Sequence, residues 1–596
     1  MYEGRYLVVG PPGTGKTHWL KIQTEKVVQQ YQDSMLVNWQ QPVMVCSLTR
    51  AAAAEVSQRV TLDKGAVGTL HSHCYAGIGR PRLIHREHVA EWNAQSAFEL
   101  HLGDFPRPPR KKSEDESKNV ALQSDGDMSP WEKDDASQKG SEIFKLAERL
   151  RHMRISDDQW PPMVKDFHLA WTEFKQEHEL IDFTDMIERA VLQCSVAPGN
   201  PWVILVDEAQ DLSKLERDLI LKWGDKAGAV MLVGDPLQTL YAFRGSDPYF
   251  FKDDTVPDDK RKVLSQSYRV PKQVLEASRH WVSSMLPDFP QPEYKPKEVF
   301  GDVYEGNVRI GDFNWKDPDR LTEEVEEILK NDPNETVMIQ ATCAFMLFRL
   351  IKDLKLWGIP FSNPWRKTHG GWNPLRYEQM GTAKRVADML TVCSDSPKLS
   401  PWTYVQIGEF AKSLAAKGTF ARGKKKHVIN LAKEYEAHPE STPLECEIAE
   451  WFGEDSFLTK AWLGECTEAE FVYWWSGHRS KTTSAALAEF CVKIVERMGS
   501  DGLRNPPRVF IGTIHSFKGA EADHVYVFPD LPPIAFEAWK RQFGAEYEEV
   551  VRAFYVAMTR SKEKLTICKS ASIKCAPVRR TVGEYVNGLG SGNGVR

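Results

Sequence analysis

Eight residues near the start of the chain, Gly10 to Thr17, read GPPGTGKT, a spacing that suits a loop wrapped around phosphate. Gly10, Gly13 and Gly15 let successive backbone N–H groups turn toward phosphate oxygens, with Pro11, Pro12 and Thr14 between them. Lys16 adds a point charge and Thr17 a hydroxyl suited to Mg²⁺. Farther on, the apolar run Val203 to Val206 ends in Asp207 and Glu208. At a strand's carboxyl end, Asp207 can hold Mg²⁺ through water and Glu208 can polarise an attacking water. A third stretch, VGDPLQTLYAFRGSDP at residues 233–248, places Gln238, suited to a phosphate, just ahead of Tyr241, Phe243 and Arg244, suited to a nucleobase.

The elements that must position these residues are legible as pattern. RYLVVG reads as a strand entering the first loop, and THWLKIQTEKVVQQY as a helix leaving it; the strand PVMVCSL and the helix TRAAAAEVSQRV follow. Strands alternating with helices predict a parallel sheet. The same alternation returns in GNVRIGDF, RLTEEVEEILKN, TVMIQA and FMLFRLIKDLKLWG, and again after residue 495, so a second α/β domain is expected. Residues 106–142 hold few apolar side chains and read as a mobile surface insertion. Residues 396–495 read as helical, rich in Trp, with the basic stretch KGTFARGKKKH inside them. The expected division is 1–75 with 196–260 as a first α/β domain, 76–195 as its helical insertion, 261–395 with 496–596 as a second α/β domain, and 396–495 as the insertion of that one.

With 596 residues, several cores are needed, and 41% hydrophobic residues can supply them. The 77 Lys and Arg nearly balance 83 Asp and Glu, leaving a net charge of -6 and no global basic field. A basic groove on an acidic protein stays compatible with that balance. The 19 Trp are read as core residues. The ten Cys form no CxxC pair, which speaks against a zinc ribbon, an iron–sulfur cluster or a disulfide framework. His71, His73 and Cys74 in HSHC are too close in sequence to surround one tetrahedral ion. The start has no signal-peptide pattern and no apolar run reaches membrane-spanning length, so a cytoplasmic, non-secreted protein without a membrane partner is expected.

Taken in order, the stretches GPPGTGKT, SLTRAAAAE, VGTLHSHCY, DFTDMI, VDEAQD, VGDPLQTLYAFRGSDP, LSQSYRVP, GTIHSFKGAEAD and RAFYVAMTRSKEKL resemble the motifs of superfamily 1A DNA helicases of the UvrD/Rep type, from Gly10 to Arg560. The resemblance implies two RecA-like parallel-sheet domains forming an ATP cleft, each with a mainly helical inserted subdomain. It implies an ATP-dependent motor on single-stranded DNA and single-strand/duplex junctions, travelling 3′ to 5′ and separating strands, with ATP and Mg²⁺ as cofactors. By that likeness Gln238 senses the γ-phosphate, Tyr268 stacks on adenine, and Arg269 and Arg560 reach the γ-phosphate from the second domain, while Gly519 and Glu521 approach the ribose. On the DNA side it places Thr49, His71, Tyr241, Phe243, Arg244 and His515. The usual adenine-reading glutamine upstream of the loop is missing, and Leu48 stands where an aromatic is common. Two other readings stay open: a single-stranded-DNA-dependent translocase with little unwinding, and a nucleotide-gated protein that binds a recruiting partner.

Overall fold

The computed structural model describes residues 2–34, 38–47, 62, 65–106, 139–246, 249, 251, 255–364, 366, 370–377, 381–396 and 401–590. Two compact units form: Met1–Arg309 with Leu531–Leu565 and Lys574–Arg596, and Ile310–Asp530 with Thr566–Ile573.

In the first unit the strands β1 (Gly4–Val9), β2 (Gln41–Ser47), β3 (Val67–Thr69), β4 (Pro201–Val206), β5 (Ala229–Gly234) and β6 (Arg261–Val263) make one sheet in the order β3-β2-β4-β5-β1-β6. Every pairing in it is parallel. The reason lies in β4 and β5, PWVILV and AVMLVG, whose residues are buried throughout and so need cover on both faces. Their side chains alternate: Ile204, Val206, Val230 and Leu232 join one core, and Val203, Leu205, Met231 and Val233 the other. A short antiparallel hairpin, β7 (Glu298–Val299) with β8 (Asp302–Val303), also belongs to this unit.

Between β3 and β4 the described chain is largely helical, and it carries its own aromatic core of Trp92, Phe144, Phe167, Trp171 and Phe174. Of the segment expected to be mobile, 107–138 lies outside the described residues; Lys139–Glu142 instead open the helix Lys139–His152. Three helices there are joined by a buried ionic group: Arg151 reaches Asp182, Asp185 and Glu188, and Lys175 reaches Asp182 and Asp185 at 2.5 Å each. Burial acts to raise the Asp182 carboxyl, but Lys175 and Arg151 outweigh it and hold it well below the usual range.

The second sheet runs β11-β12-β10-β13-β14-β9, from β9 (Asn307–Ile310), β10 (Val337–Ala341), β11 (Phe361–Ser362), β12 (Val509–Thr513), β13 (Ala522–Val527) and β14 (Ser561–Ile567). Its pairings β10 with β12, β10 with β13 and β11 with β12 are parallel. The α/β class expected from the alternation is thus observed in both sheets. The Trp-rich stretch folds as helices from Tyr404 to Met498, and Trp402, Trp451 and Trp475 sit inside the core of the second unit, as their reading as core residues predicted. Among the described residues no helix is long and apolar enough to cross a membrane.

Candidate nucleotide and nucleic-acid site

The phosphate loop leaves β1 and enters the helix Lys16–Asp33 through Gly13 and Gly15, at φ 73° and 75°, a left-handed geometry that side chains disfavour. Space is as restrictive as conformation at Gly13, where a Cβ would stand 2.5 Å from the Cβ of Arg269 and 2.9 Å from Ser267 Oγ. The loop is closed on itself: Lys16 Nζ donates to the Gly10 carbonyl at 2.8 Å and Thr14 Oγ1 to the Pro11 carbonyl at 2.8 Å. A backbone turned by left-handed glycines at a helix N-terminus, with a lysine folded over it, is a cradle whose donors fit phosphate.

A second segment seals the loop's outer side. Ser267 Oγ donates to the Pro12 carbonyl at 3.1 Å, Tyr294 OH donates to the same carbonyl at 2.7 Å, and the Tyr268 amide donates to the Gly13 carbonyl at 2.8 Å. Burial pushes the Tyr294 hydroxyl upward and keeps it a donor. Tyr268 itself stays 74% exposed, and a Cβ on Gly15 would lie 3.8 Å from its ring, so a flat, free aromatic face stands beside the loop.

On the sheet side, Asp207 is buried directly after β4 and its Oδ1 accepts from the Glu208 amide at 2.9 Å. Glu208 has φ 51° and ψ 39°, a strained backbone for a side chain of this size. From it a line of polar side chains crosses the site. Gln210 Nε2 donates to Glu208; the Asp235 amide donates to Gln210 Oε1 at 3.0 Å; Gln238 Nε2 donates to Asp235 Oδ2 at 2.8 Å; Arg560 Nη2 donates to Gln238 Oε1 at 2.8 Å. Burial raises the Asp235 carboxyl, opposed by the charge of Lys16 and by the bonds from Gln238 and Leu237.

Gln238 opens the turn that also carries the aromatic–arginine cluster. Tyr241 is buried, the Arg244 guanidinium carbon lies 5.7 Å from its ring centre, and Ala242–Arg244 form a 3-10 turn ended by Gly245 at φ 89°. A Cβ on Gly245 would meet Met153 Cγ at 2.8 Å, so the turn rests on the end of the Lys139–His152 helix. His152 Nδ1 pairs with Ser213 Oγ at 2.9 Å and its Nε2 with Thr184 Oγ1 at 3.2 Å. His71 belongs to the same group: burial lowers its pKa to about 4, helped by His152 and Arg244 and opposed by Glu216.

Loop, acidic turn, Gln238, Tyr241, Arg244, Tyr268, Arg269, Arg560 and His71 thus share the first unit. Arg269 and Arg560, expected on the second domain, fold with the phosphate loop, because Ser267, Tyr294 and Arg560 hydrogen-bond to residues around it. His515, Gly519 and Glu521 lie in the second unit, His515 buried, Gly519 at φ 88° and Glu521 exposed. Thr49 falls outside the described residues, as do Leu48 and the side chain of Phe243. Lys424 and Lys425 of the basic stretch have partners within the second unit, Glu450 and the Leu414 carbonyl. Reading the sequence missed Gln210, Asp235, Ser267 and Tyr294. For Asp235 a signal existed, since it ends an apolar strand as Asp207 does.

Comparison with known proteins matches residues 1–256 to the UvrD/REP helicase N-terminal domain and residues 470–572 to the UvrD-like helicase C-terminal domain. The chain is 26% identical over 288 residues to YjcD of Bacillus subtilis, covering 45% of this chain and 35% of that protein. To an ATP-dependent helicase/nuclease of Exiguobacterium sibiricum it is 22% identical over 213 residues, 32% of this chain and 17% of the relative. To the ATP-dependent DNA helicase Rep of Buchnera aphidicola it is 26% identical over 179 residues, 28% of this chain and 26% of the relative. The matched stretches therefore span about a third or less of these relatives' lengths.

Proposed function

Because this chain belongs to the UvrD/Rep helicase family, we propose that it is an ATP-hydrolysing DNA motor that moves 3′ to 5′ on single-stranded DNA and separates strands at single-strand/duplex junctions. The observation that carries the reading is the line Glu208, Gln210, Asp235, Gln238, Arg560, which ties the acidic turn beside the phosphate loop to the turn bearing Tyr241 and Arg244.

In this mechanism the loop amides and Lys16 bind the β- and γ-phosphates, and Tyr268 stacks on the base with its exposed ring. Thr17 and Asp207 would hold Mg²⁺, which would offset phosphate charge when bound. Glu208 orients the attacking water, its strained backbone fixing the carboxylate in one direction. Arg269 and Arg560 stabilise negative charge on the transferred group. For Arg560 to do so it must leave or share its bond to Gln238, so the γ-phosphate and Gln238 compete for one guanidinium. That exchange shifts Gln238 and with it the turn carrying Tyr241, Phe243 and Arg244, which grips the strand by stacking and charge. Thr49 and His71 complete the strand contacts in this reading.

Steady-state ATP hydrolysis measured without nucleic acid and with single-stranded DNA, duplex DNA or single-stranded RNA, using Lys16→Ala as the blank, tests the proposal. Strong stimulation by single-stranded DNA alone supports it, and a tailed-duplex assay then reads polarity and unwinding. Equal rates in all four conditions would sink it.

A further inference from the structure

The second unit contains a cavity of about 280 Å³ that takes no part in the phosphate-loop site. Asp395, Glu468, Glu496 and Asp501 line it, and no Lys, Arg or His does so among the described residues. Three of the acids stand exposed at its mouth; Glu468 is different, only 5% exposed. Its Oε2 accepts from the Ser500 amide at 2.6 Å, while its Oε1 is buried with no hydrogen-bond donor. Beside it, Ser500 is 1% exposed and its Oγ likewise has no partner.

A carboxylate oxygen withdrawn from water is stable only when a donor or a positive charge matches it. The only neighbouring charges that line this cavity are negative, and Asp501 already faces Arg504 at 3.5 Å. The ligand must therefore bring both the charge and the N–H groups. A bare divalent ion fits poorly. Among the described residues the one trio of His, Cys, Asp or Glu ligand atoms close enough to share a metal is His85, Glu87 and His88, in the other unit. A primary ammonium on an alkyl chain fits better: it brings the positive charge that the acidic lining lacks and the N–H donors that Glu468 Oε1 and Ser500 Oγ lack, and Val495 and Met498, which also line the cavity, suit its methylenes.

We propose that this cavity is a binding site for a primary alkylammonium group, supplied either by a free diamine or by a lysine side chain of a protein partner. Isothermal titration of the full chain with 1,4-diaminobutane and with Nα-acetyl-lysine methylamide reads both sources, at one ionic strength, with MgCl₂ and tetramethylammonium as competitors. One saturable site is expected. It should weaken by about tenfold to a hundredfold in Glu468→Gln, the scale of losing a hydrogen bond to a charged group. Because Glu468 also caps the Ser500 amide, the double variant Glu496→Gln/Asp501→Asn, altered only at exposed positions, provides an independent arm and should weaken binding by roughly threefold or more. Tighter binding of the diamine assigns a free polyamine, and tighter binding of the lysine derivative assigns a partner's side chain. Absence of binding, wild-type affinity in both variants, or equal competition by tetramethylammonium, which has no N–H, would overturn the assignment.

Discussion

Arg560 donates from Nη2 to Gln238 Oε1 at 2.8 Å, although 322 residues separate them. Both side chains are buried, and Gln238 is held from its other end by Asp235. One amide thus occupies an arginine and a carboxylate together, and neither partner can be left bare without cost. Gln238→Ala is expected to lower stability by about 1–3 kcal/mol by leaving these buried groups unmatched. The stronger expectation concerns coupling: the variant should bind nucleotide yet lose most stimulation of hydrolysis by single-stranded DNA. Denaturant titration and steady-state hydrolysis with and without DNA read the two effects, and full stimulation in the variant would refute the coupling.

Glu208→Gln separates binding from chemistry. The amide keeps the shape of the acid and can still meet Gln210, but it cannot act as a base for water. Hydrolysis should fall by roughly 10²–10⁴-fold with nucleotide affinity little changed. Glu208→Gly, which relieves the backbone at φ 51° but removes the carboxylate, should be as inactive. An active Glu208→Gln protein, measured by phosphate release, would remove Glu208 from the mechanism.

What the sequence made legible here was local. The glycine loop, the apolar strands β4 and β5 and the acids that end them are contiguous patterns set by backbone periodicity, and the structure forms them where they were expected. What it hid was tertiary. Tyr294 bonds to Pro12 across 282 residues and Ser267 to the same carbonyl across 255, and nothing in either stretch marks it as a partner of a proline carbonyl. Gln210 was hidden for a related reason, since its amide works by joining Glu208 to the Asp235 backbone from a neighbouring strand end. The placement of Arg269 and Arg560 with the phosphate loop follows from these same long-range bonds.

Tyr268 offers a test of nucleotide recognition that leaves the fold alone. Its ring is 74% exposed, and only its backbone amide ties it to the loop. Tyr268→Ala should change stability by less than about 0.5 kcal/mol, as surface substitutions do. Loss of stacking should raise the KM for ATP by about tenfold, and Tyr268→Phe should restore it. An unchanged KM in Tyr268→Ala would exclude the ring from the nucleotide's contacts.

His71 predicts an acid-side loss of stability. Its folded pKa, about 4, lies below the ordinary value of 6.5, so between these values the unfolded chain binds the proton more readily. The stability held by neutral His71 is fully present above about pH 6.5 and is lost as pH falls toward 4. His71→Gln, which cannot take up that proton, should show a shallower fall in urea midpoint across this window than the wild type. Parallel curves for the two proteins would mean that His71 does not titrate as its surroundings imply.

Glu549 predicts the opposite slope at higher pH. In the helix Ala545–Met558 it is only 3% exposed, and burial pushes its pKa up to about 8, against the pull of Arg552 and Arg149 and with a smaller push from Glu546. The folded chain therefore holds a proton that the unfolded chain has released from about pH 4.5 upward, and stability declines as pH rises through 8. Arg552 does not remove the penalty, because it is already engaged by Glu548 and packed over Phe289 with its guanidinium carbon 5.1 Å from the ring centre. Glu549→Gln keeps the neutral shape at every pH, so its urea midpoint should match the wild type near pH 5 and exceed it at pH 9. A wild type equally stable at both pH values, relative to the variant, would show that Glu549 is ionised in the folded protein.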